Sequence, residues 1–298
     1  MELFVRVVET RSFSAVAKER RIGQPAVSKQ ISALETELGT ELLHRNTRSI
    51  TLTEAGRELY HSARRILEDF ESTTARIGRG QTAPRGVVRV AVPPSFARLH
   101  MVNKLAAFFE RYPDIAVEFG TTESPRSLIE DGFDLAIHSG DLPDSSLVAR
   151  RFAQTLTILV ATPQFLTRHS LPQSIDELSS LPAIPFVQNG AVQVWEFSAA
   201  QRITPSGAFR AGDLEQLRVG VLEHLGIAQA PAWLFAAELR EGTVLRLLTL
   251  HERTVAISAV RPSSRRVPTR VRVLMEHLEA SFAVCTQFNP RPVAAVGE

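Results

Sequence analysis

The chain has 298 residues, of which 44% are hydrophobic and 22% are charged, a size and composition typical of a globular protein with two or three domains. Its formal net charge of +2 excludes a polybasic nucleic-acid coat, so any contact with DNA must come from the local placement of basic residues. The single cysteine, Cys285, excludes an intramolecular disulfide and a zinc site built from several cysteines.

Three helices are predicted at the start of the chain. An apolar stripe indicates a first helix over Glu2–Thr10, and Ser12 is a suitable N-cap for a second. Gly23 is expected to permit the turn that follows, because glycine adopts backbone conformations closed to other residues. Pro25 then falls in the first turn of a third helix, where its missing N–H costs little, and Gly39 ends that helix.

The third helix has two distinct faces. One face is apolar and is expected to be buried. It carries Val27, Ile31, Leu34 and Leu38. The opposite face is polar and small and carries no acid, and such groups suit the base edges and phosphates of a DNA major groove. The candidate DNA contacts on this face are Gln24, Pro25, Ala26, Ser28, Lys29 and Ser32. The alternative is a solvated helix face.

Residues 41–52 are predicted to form a short two-stranded wing. His44, Arg45 and Arg48 lie near its tip. Arginines there would reach backbone phosphates or the minor groove beside the third helix, so Arg45 and Arg48 are also candidate DNA contacts.

A long helix is predicted over Glu54–Arg79, with Thr53 as its N-cap. Apolar residues recur along it at alternating spacings of four and three, as in the seam of a coiled coil. Such a stripe must be buried, and pairing with a second copy of the chain would bury it. The predicted pairing residues are Leu59, Ala63, Ile66, Phe70 and Ile77. The alternative is a helix that lies on its own domain.

The pattern changes after a predicted glycine-rich linker at 78–86. Strands are predicted at 87–92, 115–119, 134–138, 155–161, 183–187 and 255–260. Helices are predicted around 105–109 and at 125–131, 163–169, 214–226, 231–239 and 269–284. This alternation predicts a parallel sheet with helices on its faces, arranged as two α/β lobes with a cleft between them.

The cleft between the lobes is the expected site of a small ligand. Ligands of open α/β sheets lie beyond the carboxyl ends of the strands, near helix N-termini. The residues predicted at this position are Ser95, Phe96, Thr121, Thr122, His138, Ser139, Asn189, Gln229 and Ala230. For each of them ordinary capping of a strand end is an alternative, and for His138 a structural histidine. Trp195 and Trp233 are interpreted as packing residues.

Several stretches of the chain resemble LysR-type transcriptional regulators. SFSAVA, QPAVSKQISALETELGTELLHR and TLTEAG are similar to the amino-terminal signature of that family. The resemblance continues through GVVRVAVPPSF, FFERYPDI, DGFDLAIHSG and LPDSSLVARR and covers about residues 1–285. It implies a multidomain α plus α/β fold. The parts would be a winged helix-turn-helix, a dimerising linker helix and an effector domain resembling type 2 periplasmic binding proteins.

The expected domain boundaries follow from these patterns. They are 1–53 for the winged helix-turn-helix, 54–80 for the linker helix, 81–86 for a linker, 87–285 for the effector-binding domain and 286–298 for a loose tail. Within the effector-binding domain, one lobe is expected at about 87–153 with 262–285, and the other at about 154–261.

The function expected is that of a bacterial transcriptional regulator whose DNA binding is controlled by a small effector between the lobes. Pairing through the long helix would put two third helices on one DNA face, which implies a roughly palindromic promoter site. A homodimer is therefore expected, and the resemblance implies that a dimer of dimers can also form. RNA polymerase is expected as a further partner. Neither a cofactor nor a metal is expected.

A cytoplasmic location is expected, because Glu2 and Glu9 interrupt any secretory signal and no apolar run approaches ~20 residues. A solute-binding protein with the same lobes would need such a signal and no helix-turn-helix. An enzyme using Ser95 or His138 is a further alternative. No glycine-rich phosphate loop, nucleophile elbow or metal cluster in the sequence supports it.

Overall fold

The computed structural model describes residues 1–46, 49–79, 83–122, 125–128, 131–140, 147–198, 200–263 and 267–288. The chain divides into two compact units. Unit 1 holds Met1–Ala91, Phe109–Ala136 and Arg261–Arg272. Unit 2 holds Val92–Phe108, Ile137–Val260 and the described residues from Val273 onward. The predicted domain boundaries are drawn from sequence patterns, whereas these two units are defined by compactness. The predicted boundaries therefore stay predictions.

The elements are named in chain order. The helices are α1 Glu2–Thr10, α2 Phe13–Arg20, α3 Gln24–Leu38, α4 Glu54–Arg79, α5 Pro94–Phe96, α6 Val102–Arg111, α7 Pro163–Arg168, α8 Leu214–Leu222, α9 Ala236–Glu241 and α10 Thr269–Ala283. The strands are β1 Leu43–Asn46, β2 Ser49–Leu52, β3 Gly86–Ala91, β4 Ile115–Gly120, β5 Leu135–Ser139, β6 Leu147–Ala161, β7 Val187–Gln188, β8 Ala191–Val192, β9 Trp195–Glu196, β10 Arg202–Ile203, β11 Ala228–Pro231, β12 Leu245–Leu247 and β13 Arg253–Pro262.

The amino-terminal helices pack around one apolar cluster. Its buried members are Phe4, Val7, Val16, Ala17, Val27, Ile31, Leu42 and Leu43. Ser12 accepts a hydrogen bond from the N–H of Ala15 at 3.1 Å, which confirms the predicted N-cap of α2. The prediction that Leu38 is buried is wrong, because α3 ends at this residue and its side chain is 48% exposed.

The turn between α2 and α3 differs from the prediction at one residue. Gly23 has an ordinary φ of −73° and serves as the N-cap of α3. The left-handed residue is Arg21, with φ at 55°, and its N–H donates to the carbonyls of Ala17 and Lys18. These hydrogen bonds close the end of α2 and offset the cost of a left-handed arginine.

Helix α4 is attached to the amino-terminal cluster at its first turn. Thr53 Oγ1 accepts a hydrogen bond from the N–H of Gly56 at 2.9 Å and donates to the carbonyl of Glu41 at 2.7 Å, which confirms the predicted N-cap. The N–H of Thr53 donates to the carbonyl of Leu42 at 3.1 Å. A Cβ added to Gly56 would lie 1.9 Å from that same carbonyl oxygen. The missing side chain of Gly56 therefore allows α4 to approach the backbone of Leu42.

The predicted parallel sheet is confirmed in unit 1 and is wrong for part of unit 2. In unit 1, β3 pairs in parallel with β4 along Gly86–Ala91 and with β5 at Val90 and Leu135. In unit 2, β6 pairs antiparallel with both β11 and β12. The apolar run of a buried strand does not encode its direction, so the sequence could not distinguish these pairings.

Two further predicted elements differ from the structure. The helix predicted at 125–131 is, among its described residues, a 3₁₀ turn at Pro125–Leu128. The strand predicted at 183–187 is replaced by isolated bridges at Ala183 and Phe186. Pro185 lies between them and has no N–H to donate to a strand ladder, which explains the interruption.

Unit 2 has an apolar core of its own. Its buried members are Leu159, Ala161, Phe165, Ile175, Leu178, Ala183, Trp195, Phe197, Ile227 and Leu247. The interpretation of Trp195 as a packing residue is therefore confirmed. Across the described ranges of both units, no helix is long and apolar enough to cross a membrane.

Replacing Gly56 by alanine should lower the free energy of unfolding by about 1–3 kcal/mol, because the new Cβ would collide with backbone that no side-chain rotation can move. In an unconstrained helix interior the same change would stabilise by up to about 1 kcal/mol. Chemical denaturation followed by circular dichroism measures the difference. Gly212→Ala is the control, since a Cβ there would meet Gln216 Oε1 at 3.6 Å. Equal or higher stability of Gly56→Ala would contradict the close approach.

Candidate nucleic-acid interface and ligand cleft

One face of α3 is exposed and polar. The predicted residues that are exposed on it are Gln24, Pro25, Ala26, Lys29 and Ser32, and Ser28 is half-buried. On the opposite face, Val27 and Ile31 are at most 1% exposed. The structure therefore brings the six predicted residues of α3 together on one surface.

Both ends of α3 are held by side-chain hydrogen bonds. At its start, Ser14 of α2 donates to Gln24 Oε1 at 3.1 Å. At its end, Glu35 Oε1 accepts the N–H of Leu42 at 3.0 Å and that of Leu43 at 3.3 Å. The acid of Glu35 is thus engaged by the backbone that leads into β1, and it joins α3 to the wing.

The predicted two-stranded wing is confirmed. Strands β1 and β2 pair antiparallel, with Leu43 opposite Leu52 and His44 opposite Thr51. The backbone of Arg45 lies in β1, but its side chain and all of Arg48 lie outside the described residues. The DNA contacts of these two arginines stay predictions.

The predicted pairing face of α4 divides into a covered and an exposed part. Ala63 is fully buried, and Leu59 packs against the amino-terminal cluster of its own chain. Ile66 is 56% exposed and Phe70 is 66% exposed. The side chain of Ile77 lies outside the described residues. Packing on the same chain therefore accounts for the start of the stripe, and the exposed part begins at Ile66.

Unit 2 contains a cleft of about 640 Å³. This volume suits a small molecule, since ligand pockets commonly span about 300–1,000 Å³. Ser139, Gln229 and Ala230 line it, as predicted for a ligand site. The predicted residues that are not among its described lining residues are Ser95, Phe96, Thr121, Thr122, His138 and Asn189.

Asn189 is a turn residue and not part of the cleft wall. It joins β7 to β8 together with Gly190, and the two residues have φ values of 51° and 76°. An Asn-Gly pair with positive φ at both positions is the preferred two-residue hairpin turn. Gln188 and Val192, which flank this turn, line the cleft.

Several other predicted residues have structural roles in their own unit. Phe96 is 2% exposed within an aromatic cluster, and Ser95 is 5% exposed. Thr122 Oγ1 donates to Asp131 Oδ2 at 2.6 Å, a local contact that fits the strand-end alternative. The remaining two residues are Thr121, which is exposed, and His138, which is half-buried.

Three charged side chains line the cleft among the described residues, and all three belong to one ion-pair cluster. Glu196 Oε1 lies 2.9 Å from Arg202 Nη2, and Glu196 Oε2 accepts a hydrogen bond from Arg253 Nη1. The side chain of Arg202 is 70% exposed, and that of Arg253 is 33% exposed. Two arginines and one glutamate leave this lining with one net positive charge.

Sequence reasoning missed these three residues, although a signal was present. Trp195 and Phe197 are each 3% exposed, and Glu196 between them faces the other side of the strand. A lone acid between two buried aromatic residues indicates a polar surface opposite a core. Arg253 begins β13 two residues before the start of the predicted strand, so it was not placed beside the cleft.

Gln229 holds the main chain of Glu196 in place. The N–H of Glu196 donates to Gln229 Oε1 at 3.1 Å, and Gln229 Nε2 donates to the Glu196 carbonyl at 2.9 Å. Gln229 in turn pairs with Leu159 in the β11–β6 ladder. The backbone of Glu196 is therefore fixed to a buried strand, while its carboxylate faces the two arginines.

Trp233 forms part of the cleft wall and is 3% exposed, so its interpretation as a packing residue is confirmed. Behind it, His100 Nε2 lies 3.2 Å from the carbonyl oxygen of Trp233, and His100 Nδ1 lies 3.2 Å from Gln287 Nε2. This arrangement suits a neutral ring in which Nε2–H donates and Nδ1 accepts. Burial lowers the pKa of His100 to about 4, which keeps the ring neutral.

Two protein-family models match the chain. Residues 1–57 match the model described as bacterial regulatory helix-turn-helix protein, lysR family. Residues 81–283 match the model described as LysR substrate binding domain. The two matches correspond to the surface on α3 and to the part of the chain that contains the cleft.

Similar proteins and structures cover nearly the whole chain. The HTH-type transcriptional regulator CrgA of Neisseria meningitidis serogroup C is 34% identical over 287 residues, which cover 93% of this chain and 94% of CrgA. A solved structure of CrgA, a LysR-type transcriptional regulator, is 31% identical with a TM-score of 0.62 and covers 94% of this chain and 97% of that chain. The full-length structure of the Vibrio cholerae virulence activator AphB is 28% identical with a TM-score of 0.60 and covers 94% and 97%.

The free energy of unfolding should fall as the pH is lowered from about 6.5 toward 4. The pKa of His100 is about 4 in the folded chain and near 6.5 when unfolded, so between these values the unfolded state binds the extra proton. Above pH 6.5 both states are neutral and the effect is absent. Thermal unfolding of the wild type and of His100→Gln between pH 7 and 4 measures the contribution of His100. The carboxylates titrate in both proteins, so their effect cancels in the difference between the two pH dependences. An identical pH dependence in the two proteins would contradict a buried neutral His100.

Proposed function

The chain belongs to the LysR family of transcriptional regulators, and on that premise we propose how its parts act. It is a helix-turn-helix DNA-binding regulator with an effector-binding domain and not an enzyme. The proposal is that α3 enters the major groove, that α4 pairs two copies, and that a small effector in the cleft alters DNA binding. The observation that carries the DNA part is the exposed polar face of α3 above the buried Val27 and Ile31.

The residues on the α3 face divide by chemistry. The amide of Gln24 and the hydroxyl of Ser28 suit base edges, and the ammonium of Lys29 suits a phosphate. Pro25 and Ala26 are small enough for the backbone to approach the groove closely. Because the net charge of the chain is only +2, the proposal assigns much of the phosphate attraction to Lys29 and the wing arginines.

The exposed part of α4 is proposed to pair with α4 of a second copy. Ile66 and Phe70 are four residues apart and so lie on one helical face, and both are more than half exposed. Burying such side chains is favourable by roughly 1.5–3 kcal/mol each. A dimer would present two α3 helices to a roughly palindromic promoter site, and two dimers would form a tetramer.

The cleft in unit 2 is the proposed effector site. Its volume of about 640 Å³ and its mixture of apolar walls and a few polar side chains support this assignment. A ligand shifts an equilibrium between two conformations only as far as its affinities for them differ. The effector is therefore proposed to prefer one conformation of the regulator, and the affinity for DNA changes with that preference. No cofactor is part of this proposal.

The regulator is proposed to act in the bacterial cytoplasm, with RNA polymerase at the promoter. The bacterial origin of the relatives and their description as transcriptional regulators support this placement.

Lys29→Ala should weaken binding to all DNA sequences several-fold, because a phosphate contact carries no sequence information. The slope of log affinity against log salt should fall by about one. Fluorescence anisotropy with a duplex from upstream of the protein's own gene, at several salt concentrations, measures both quantities. Arg240→Ala removes one positive charge from the exposed surface of α9 and is the control. Equal affinity and slope for Lys29→Ala and the wild type would contradict the role of Lys29.

Phe70→Asp should weaken self-association at least about tenfold, because each copy loses one buried aromatic contact and gains a charge in the paired surface. Sedimentation equilibrium of the full chain measures the dimer dissociation constant. Leu250→Asp is the control, since Leu250 is 81% exposed and outside α4. If both variants associate as the wild type does, α4 is not the pairing surface.

A further inference from the structure

The ion-pair cluster in the cleft has a feature that packing does not require. Glu196 has a fixed backbone, and its carboxylate accepts a hydrogen bond from the guanidinium of Arg253. Both residues lie at the wall of a cleft large enough for a small ligand. The pair is only partly covered, since the side chains of Glu196 and Arg253 are 37% and 33% exposed. Partly exposed pairs add little stability, so the position of this pair in the cleft calls for another explanation.

We propose that the effector is a monocarboxylate with an apolar body, and that its carboxylate replaces Glu196 at Arg253. This proposal rests on the proposed function, in which the cleft is the effector site. Glu196 then serves as a built-in competitor: it holds Arg253 when the cleft is empty, and it sets the ligand concentration at which the regulator responds.

The charge of the cleft favours one anionic group. The described lining carries one net positive charge, so a monoanion neutralises it, whereas a dianion leaves an excess negative charge and a cation adds to the positive charge. The planar guanidinium of Arg253 has several N–H donors in a fork that matches the two oxygens of a carboxylate. A neutral ligand would leave the arginine paired with Glu196.

The walls of the cleft favour an apolar body. The lining side chains that can contact such a body are Phe186, Val192, Val194, Leu217, Trp233 and Val255. Neutral polar residues of the lining add hydrogen-bonding groups without charge, among them Ser139, Thr157 and Gln188. A pocket with mostly apolar contacts and a few placed polar groups is typical of small-molecule sites.

The geometry allows Glu196 to give up Arg253 without leaving a charge unpaired. Its backbone stays bound to Gln229 through two hydrogen bonds, so exchange requires rotation of one side chain only. Its other oxygen lies 2.9 Å from Arg202, whose side chain is 70% exposed and remains available as the partner. After exchange the ligand pairs with Arg253, and Glu196 pairs with Arg202.

The test compares carboxylates that have an apolar body with a neutral amide and a cationic amine; benzoate, benzamide and benzylamine are similar in shape and differ in charge. Benzoate, phenylacetate and hexanoate are titrated into the full chain by calorimetry, alongside benzamide and benzylamine. At least one carboxylate should bind the wild type, while the amide and the amine should not. Arg253→Met should weaken that carboxylate at least about tenfold, because a charge-assisted hydrogen bond is lost. If none of the three carboxylates binds to either the wild type or Glu196→Gln, the assigned ligand class is overturned.

The variant Glu196→Gln shows whether Glu196 competes with the ligand for Arg253 or holds Arg253 in position for the ligand. Competition predicts at least about threefold tighter carboxylate binding, since the competing anion is removed and the local positive charge rises. Unchanged binding would overturn the competitor role, and weaker binding would overturn it and show in addition that Glu196 positions Arg253. Glu223→Gln is the control, because it removes one exposed acid that is not in the described cleft lining. Thermal unfolding without ligand confirms that each variant folds.

Two further measurements separate this proposal from the effector site on which it rests. Val194→Trp places a large ring in the cleft lining at a position that is 43% exposed, and Val194→Ile is its control. Carboxylate binding that survives Val194→Trp would mean that the carboxylate binds outside the cleft, which overturns both proposals. In the other outcome, the variants change carboxylate binding as expected while the bound carboxylate leaves the affinity for DNA unchanged. That result would overturn the regulatory role of the cleft and leave the ligand class intact.

Discussion

The close approach of Gly56 to the backbone of Leu42 is the contact on which the amino-terminal part depends. A Cβ at this position would lie 1.9 Å from the carbonyl oxygen of Leu42, so glycine is required on steric grounds. That carbonyl accepts the N–H of Thr53, while the N–H of Leu42 donates to Glu35 in α3. One short stretch of backbone thereby joins α3, the base of the wing and the first turn of α4. The orientation of α3 relative to the proposed pairing face of α4 follows from this junction.

The cleft in unit 2 is organised by a different kind of constraint. Gln229 uses both groups of its amide to hold the main chain of Glu196, and this hydrogen bonding leaves the carboxylate facing Arg202 and Arg253. Apolar residues form part of the cleft lining, and the ion-pair cluster supplies its charge. The same cleft wall includes Trp233, whose carbonyl is bound to a neutral His100. Shape and charge in this cleft thus come from separate sets of residues.

Local patterns in the sequence predicted the DNA-binding part well. The predicted bounds of α1 and α4 agree with the structure, because apolar spacing and N-caps such as Ser12 and Thr53 act within a few residues. The cleft was predicted less completely. Ser139, Gln229 and Ala230 line it, but Asn189 is a hairpin turn and Phe96 is packed in an aromatic cluster. A rule about strand ends finds the edge of a sheet, but it does not say which side chains at that edge face a ligand.

Short-range periodicity, capping residues and ordered motifs were enough to predict the helix-turn-helix, the wing, the long helix and the family. Three other features were visible only in the folded chain: β11 and β12 run antiparallel to β6, Ala63 is covered by its own chain while Phe70 is not, and Glu196 meets Arg253. Each of these outcomes joins segments that are distant along the chain. Their distances depend on how the elements pack, and no local pattern of residues encodes that packing.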